Sequence, residues 1–354
     1  MKRRNLGLTR FTLPLALTSV LAWGNGFPLG HQAIAQNLDA QIDFNRNTDI
    51  QNNIRPNGDL LLQWGKQAHD RGDLEQSLAY WQEAVQHYYQ IGDYQSLALS
   101  YDYLSRSYLR LERYTEAEEA IRRCLALLRS NRDVQGQIYG LNSLGMLLVQ
   151  TQDFPVAAEV FYEALTIARS IEDDRGEGLS FNNLGVLAAA QGNHHIAIKH
   201  YQDALTSRRR GRDMAGEIST LNNLGMSQQA SNQYEQSLYS FRLARKLALI
   251  SEEVNKKIIA LQGLVTGYHA VNNGSMVRNH LAEWLNLART ENNLPQEFLA
   301  VRFASRYEVK LGNTTKAVSL YQQAIALAKT LGYSEQVVVL TNELAQIIYD
   351  QSGE

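Results

Sequence analysis

Apolar residues in this chain recur three and four positions apart, with small residues at fixed places between them. That spacing belongs to helices buried along one face. Cut into blocks that begin at residues 54, 94, 134, 174, 214, 254, 294 and 334, the sequence aligns with itself at a period of 40 without an insertion. One column holds Leu104, Leu144, Leu184, Leu224, Leu264 and Leu344, joined by Trp64 and Ala304. The next is small, with Gly65, Ser105, Gly145, Gly185, Gly225, Ser305 and Ala345, and only Val265 breaks it. Later in each block come Ala117, Ala157, Ala197 and Ala317. Four residues on stand Trp81, Ile121, Phe161, Tyr201, Phe241, Leu281 and Tyr321. Three further on stand Ala84, Cys124, Ala164, Ala204, Ala244, Trp284 and Ala324.

Between the two sets sit turn signals: Gly72-Asp73, Gln152-Asp153, Gly192-Asn193, Asn273-Gly274 and Gly312-Asn313. Asp73 with Gln76, and Thr115 with Glu118, predict capping boxes that open the second helix of their blocks. Each block is therefore expected to be a helix-turn-helix pair. Such a pair cannot bury its apolar face alone and must stack on its neighbours. Five prolines in 354 residues leave long helices uninterrupted. The last block has room for one helix, about Glu335 to Tyr349, which reads as a terminal cap. The predicted fold is all-α, a superhelical solenoid of about seven helix-turn-helix repeats and a C-terminal capping helix.

The order Leu-Gly, small, aromatic, Ala resembles the tetratricopeptide repeat across residues 58–349. The 40-residue period is similar to the longer variety of kinesin light chains and LGN-type polarity scaffolds, whose Leu-x-Asn-Leu-Gly string is matched by Phe181-Asn182-Asn183-Leu184-Gly185 and Leu221-Asn222-Asn223-Leu224-Gly225. The resemblance implies a binding scaffold with a concave groove lined by the first helix of each pair.

The N-terminus modifies this picture. Lys2, Arg3, Arg4 and Arg10 precede or flank the apolar stretch Phe11 to Trp23, and Ala33-Ile34-Ala35 follows, the order of a secretory signal. Residues 1–35 are expected to be that signal, cleaved after Ala35, with an uncleaved membrane anchor as the alternative. Residues 36–57, rich in Asn, Asp and Gln, read as a polar linker, and 58–354 as the solenoid. Location is then exported, periplasmic or equivalent. Of 34 basic and 36 acidic residues, 30 and 36 remain after removal of the signal. A mildly acidic chain argues against nucleic acid as partner. The single cysteine, Cys124, precludes an internal disulfide.

No constellation for catalysis, cofactor or metal emerges, so the chain reads as non-enzymatic. His194, His195 and His200 have the wrong spacing for two ligands on one helical face, and Cys124 stands in a small core column. The run Arg208-Arg209-Arg210-Gly211-Arg212 reads as a solvated helix end.

Candidate groove residues lie opposite the Leu-Gly face: Asn142, Asn182 and Asn222 in one column, Asn183 and Asn223 beside them, with Tyr139, Met146 and Met226 around them. An amide offers both donors and an acceptor, so such a ladder suits the backbone of an extended peptide, and methionines give adaptable apolar pockets. In the resembling families, asparagines at positions matching Asn142, Asn182 and Asn222 hold peptide ligands. The residues alone leave a second role open, that the amides bridge neighbouring helices. Arg106 and Arg110 near one end, and Arg302, Arg306 and Lys310 near the other, suggest a protein or peptide partner of acidic character. Block six, with Val265, Val277 and Trp284 in close-packing columns, is expected to alter solenoid curvature at about residues 262–290. The functional expectation is a scaffold for an envelope or membrane complex, or else a regulator that changes conformation when a signalling peptide fills the groove.

Overall fold

A computed structural model describes residues 56–352. The expected signal segment and nearly all of the linker lie outside these residues. Fifteen α-helices follow one another: α1 Pro56–Asp70, α2 Leu74–Ile91, α3 Tyr94–Arg110, α4 Tyr114–Ser130, α5 Val134–Gln150, α6 Phe154–Ser170, α7 Asp174–Ala190, α8 His194–Arg210, α9 Met214–Ala230, α10 Tyr234–Ile250, α11 Val254–Ala270, α12 Gly274–Thr290, α13 Leu294–Lys310, α14 Thr314–Thr330 and α15 Ser334–Ser352. The odd-numbered helices are the first of each block and the even-numbered the second, as the columns predicted.

Every corner is the same backbone device. At each twentieth residue from Gly72 to Gly332, φ is positive, between 50° and 85°. Glycine holds five of these positions, and residues such as Glu172, Arg212 and Asn272 hold the rest. The next residue returns its N–H to a carbonyl five positions back, as Asp133 does to Leu128, a Schellman closure. Its own carbonyl accepts the first bond of the following helix, from Gln137 in that case. Side-chain caps fall mostly on first helices: Asp93, Asp133, Asp173, Asp213 and Asn293 accept from the N–H three residues on. The two expected capping boxes are not formed. Asp73 makes no side-chain cap bond, and α4 begins at Tyr114, so Thr115 is already inside the helix.

Packing within a repeat explains the glycine column. The ring of Trp81 lies over Gly65, Phe161 over Gly145, Tyr201 over Gly185 and Phe241 over Gly225. A Cβ on Gly185 would fall 2.5 Å from Cε1 of Tyr201. Where the small column carries Ser105 or Val265, the residue opposite is aliphatic, Ile121 or Leu281. Ser305 with Tyr321 departs from this rule, and that phenol donates to Glu343 at 2.9 Å.

Successive first helices touch directly, α5 to α7, α7 to α9 and α9 to α11, whereas successive second helices make no comparable contact among the described residues. The first helices therefore line the inner side of the curve. Block six packs most thinly, both between α11 and α12 and between α12 and α13. Val265 and Trp284 are nevertheless fully buried there.

Arg209, Arg210 and Arg212 of the basic run are exposed at a helix end, as expected, but Arg208 is not, and the run is ion-paired. Arg208 is buried and donates to Asp213 at 2.6 Å, Arg209 pairs with Glu217 at 2.7 Å, and Arg210 bridges to Asp174 of the same repeat's first helix at 2.7 Å. Arg169–Glu177 and Arg289–Glu297 repeat the Arg209–Glu217 clamp across equivalent corners. Room for Arg208 in a column otherwise holding alanines or apolar residues comes from Gly178, where a Cβ would meet Cγ of Arg208 at 2.6 Å. Cys124 sits in a small core cluster with Ala98 and Leu128.

Candidate functional site: the inner face of the first helices

The predicted asparagines come together, and they do so below the surface. Asn182 and Asn183 are fully buried, and Asn142, Asn222 and Asn223 nearly so. Their amides bond from one first helix to the next. Asn183 donates to Oδ1 of Asn142 at 2.9 Å, and Asn142 donates to Ser180 at 3.0 Å. Asn223 and Thr220 both donate to Oδ1 of Asn182, at 3.1 and 3.2 Å. Asn222 donates to the carbonyl of Lys256 at 3.0 Å. These are the bonds of a helix-bridging ladder, the second of the two roles the residues left open.

The seam continues beyond the asparagines, which the sequence reading missed. Gln229 donates to the Gly263 carbonyl at 2.7 Å, Gln262 to Gln296 at 2.6 Å, and Arg302 to Gln336 at 2.9 Å. Arg306 holds Glu343 with two bonds, 2.6 and 3.1 Å. A signal was present, since Gln262 and Arg302 stand in the column of Asn142, Asn182 and Asn222, and Ser100, Ser180 and Thr220 share another. From α5 to α15 the inner face is thus one polar seam that shifts from Asn, through Gln, to an Arg–Glu pair.

The remaining candidates separate. Met146 is buried, while Met226 and Tyr139 are half-buried. Burial pushes the Tyr139 phenol well above its ordinary pKa, and the carboxylates of Asp173 and Asp213 add to it. Arg106 pairs with Asp102 at 2.7 Å on its own helix, and Arg110 donates to the His69 carbonyl at 3.0 Å. Burial lowers the Arg302 pKa, with neighbouring Arg306 contributing, while its guanidinium lies 5.5 Å over the Phe298 ring. Lys310 is exposed, 3.3 Å from His269. The cations expected to attract an acidic partner are thus partly answered within the chain, by Asp102 and Glu343.

The inner face is closed over α5 to α9 and more open towards both ends. Half-exposed side chains there include Asp102 and Arg106 on α3, Gln262 and Thr266 on α11, and Arg302 and Arg306 on α13. Among the described residues no cluster of His, Cys, Asp or Glu is arranged to hold a metal ion. None of the described helices is long and apolar enough to cross a membrane. His200 stacks on Phe181, ring centroids 6.3 Å apart.

Solved structures with this architecture include the apo form of RapI, 14% identical, covering 78% of this chain and 99% of its own, with a TM-score of 0.56. A Rap protein complexed with competence and sporulation factor is 11% identical, covers 84% and 76%, and scores 0.56. A signal transduction ATPase with a tetratricopeptide-repeat sensor, from Pyrococcus horikoshii, is 17% identical and scores 0.60; the match covers 80% of this chain but only 44% of that protein. These likenesses are of fold. No curated protein matches the chain by sequence. The profile of the tetratricopeptide repeat matches residues 58–130, 137–210 and 180–250, more than half of the sequence, and the chain belongs to the tetratricopeptide-repeat family.

Proposed function

We propose that this chain is a non-enzymatic adaptor that takes an extended segment of another polypeptide along the inner face of its first helices. One observation carries the reading: a continuous seam of amides and half-buried side chains runs along that face at a fixed repeat spacing. A peptide backbone presents one donor and one acceptor per residue, and the seam's Asn and Gln side chains present both. In the closed seam these amides bond to one another. A guest backbone therefore enters by exchanging amide–amide bonds, with Met226 beside it as an adaptable apolar contact. Acidic side chains of the guest would meet Arg110 towards one end and Lys310 towards the other, both exposed.

Export to a periplasmic or equivalent compartment, in service of an envelope or membrane complex, is supported by the basic, apolar and Ala-x-Ala order of residues 1–35. The self-paired seam also favours a second reading, a peptide-responsive regulator: opening bonds between successive first helices changes the pitch of the solenoid. A Rap protein of similar fold is complexed with competence and sporulation factor.

Photo-crosslinking tests the binding face. A crosslinking residue at Met226, Thr266 or Arg302 should capture the partner from an envelope extract, and one at Tyr162 or Tyr239, exposed on second helices, should not. Capture from the second-helix positions alone would refute the inner-face reading.

A further inference from the structure

The capping helix α15 covers the preceding helix through Leu340, and it carries a second apolar face as well. A terminal repeat that only shields the stack turns a polar face outward. In α15 the stripe formed by Val338, Thr341, Ala345 and Ile348 is instead largely apolar or small, with Val338 59% and Ile348 48% exposed.

The repeat shows what such a stripe receives. In the column of Val338 the equivalents Ile138, Ile218, Ile258 and Phe298 are 0–2% exposed. In the column of Ile348, Leu148 and Tyr268 are 5% and 8% exposed. In each complete repeat these columns face the second helix of the same repeat. Tyr268 stacks on His280, Gln228 accepts from Ser240, and Glu308 pairs with Lys316. Phe181, in the column of Thr341, stacks on His200, and the column of Ala345 is where glycines lie under aromatic rings. No second helix stands beside α15 among the described residues, yet α15 keeps the residues that would receive one.

We propose that a second copy of this chain covers the stripe, its own α15 packed antiparallel about a two-fold axis. The stripe is self-complementary in that arrangement. Positions 338 and 348, and positions 341 and 345, are symmetric about residue 343. Val338 therefore meets Ile348 of the second copy at each end, while the small residues Thr341 and Ala345 meet in the middle and let the axes approach closely. An isologous contact of this kind closes on itself and stops at two. Charge permits it: α15 has no Lys or Arg, and of its acids Glu343 and Asp350 lie roughly 120° or more around the helix from the nearest stripe residue, while Glu335 lies about 60° from Val338 at the first turn, at about 100° per residue. Glu343 faces the other way, onto Arg306. A basic partner helix would find no acid on the stripe to answer.

Sedimentation equilibrium of the full chain across a dilution series tests this. Wild type should approach twice the monomer mass. Val338→Arg and Ile348→Glu, each alone, place unanswered charges in the contact and should weaken self-association at least tenfold with helical circular dichroism unchanged. The double variant puts Arg opposite Glu twice and should recover the dimer. A monomeric wild type at the highest concentration overturns the proposal. So does a double variant that stays monomeric, which removes the antiparallel register, or a ladder of species beyond two, which indicates head-to-tail stacking through the other end of the solenoid.

Discussion

Gly185 lies under the ring of Tyr201, and the fit can be broken and restored. A Cβ at residue 185 would stand 2.5 Å from Cε1 of Tyr201. Carbon atoms rest at about 3.5–4.0 Å, so the ring or the helix must yield by roughly 1 Å. Overpacking of this kind costs about 1–3 kcal/mol. Replacing a mid-helix glycine returns up to about 1 kcal/mol of helix propensity, less for a β-branched residue. Gly185→Val should therefore destabilise by about 2 kcal/mol. Tyr201→Leu alone leaves a cavity and removes the phenol's bond to Ser227, a loss of about 2–3 kcal/mol. Combined, the two reproduce the Val265 and Leu281 pairing that block six already contains. The double variant should be less destabilised than the sum by at least about 1 kcal/mol, a coupling well beyond the additivity error of roughly 0.5 kcal/mol. Because each repeat contacts only its neighbours, local opening matters more than global unfolding. Hydrogen exchange of the α7 and α8 amides, with urea titration alongside, is the assay. Strict additivity would refute size complementarity as the reason for the glycine column.

Arg208 gives a second test. Arg208→Ala strands Asp213 and opens a void, and should cost about 3 kcal/mol; adding Gly178→Ile, which restores the common pattern of these columns, should bring thermal stability to wild type or above. An additive pair of losses would sink that account. The His69 imidazole is held down to about 4 from 6.5, by burial first and then by the Arg110 charge. A depressed histidine contributes stability that is whole above pH 6.5 and lost as the pH falls towards 4. His69→Gln should flatten the fall in melting temperature over that window, and an unchanged slope would count against it. At the corners, Glu172→Gly and Arg212→Gly place glycine at φ of 56° and 51°, each expected to stabilise by about 0.5–1 kcal/mol and to add, as measured by urea midpoint. A fall in midpoint would mean that those side chains hold the corner in some other way.

The columns made the helices, their order and the inner face legible, because a 40-residue period survives any single substitution. They also placed the five asparagines together. What they left open was the direction in which those amides spend their bonds. That depends on the distance between successive first helices, which no single helix encodes. Successive first helices do come within reach, so that Asn183 donates to Asn142 of the previous repeat. The ion pairs of the basic run at 208–212 were hidden for a related reason. Its acids, Asp213, Glu217 and Asp174, were in view, but Asp174 lies 36 residues away and becomes a neighbour only when the two helices of the repeat fold back on each other. The corners hid their regularity because glycine marks only some of them, while Glu172 and Arg212 adopt the same backbone without announcing it.

Backbone and chemistry in this solenoid have different periods, and the difference bears on binding. Helices α3 to α14 begin every twenty residues and every corner has one geometry, so the main chain alone does not distinguish inside from outside. Side chains do. First helices carry glycine and amides and approach one another; second helices carry alanines and rings and are kept apart. Curvature thus rests on the close approach of the first helices, and from α5 to α13 the seam between them is made of neutral side-chain hydrogen bonds, each of modest net value, about 1 kcal/mol. The apolar contacts between first and second helices are many and collectively far stronger. A guest that bonds to the seam therefore acts on the weaker set while leaving the stronger intact. Occupancy and pitch are coupled in such a rod, and an adaptor and a conformational regulator become two uses of one inner face.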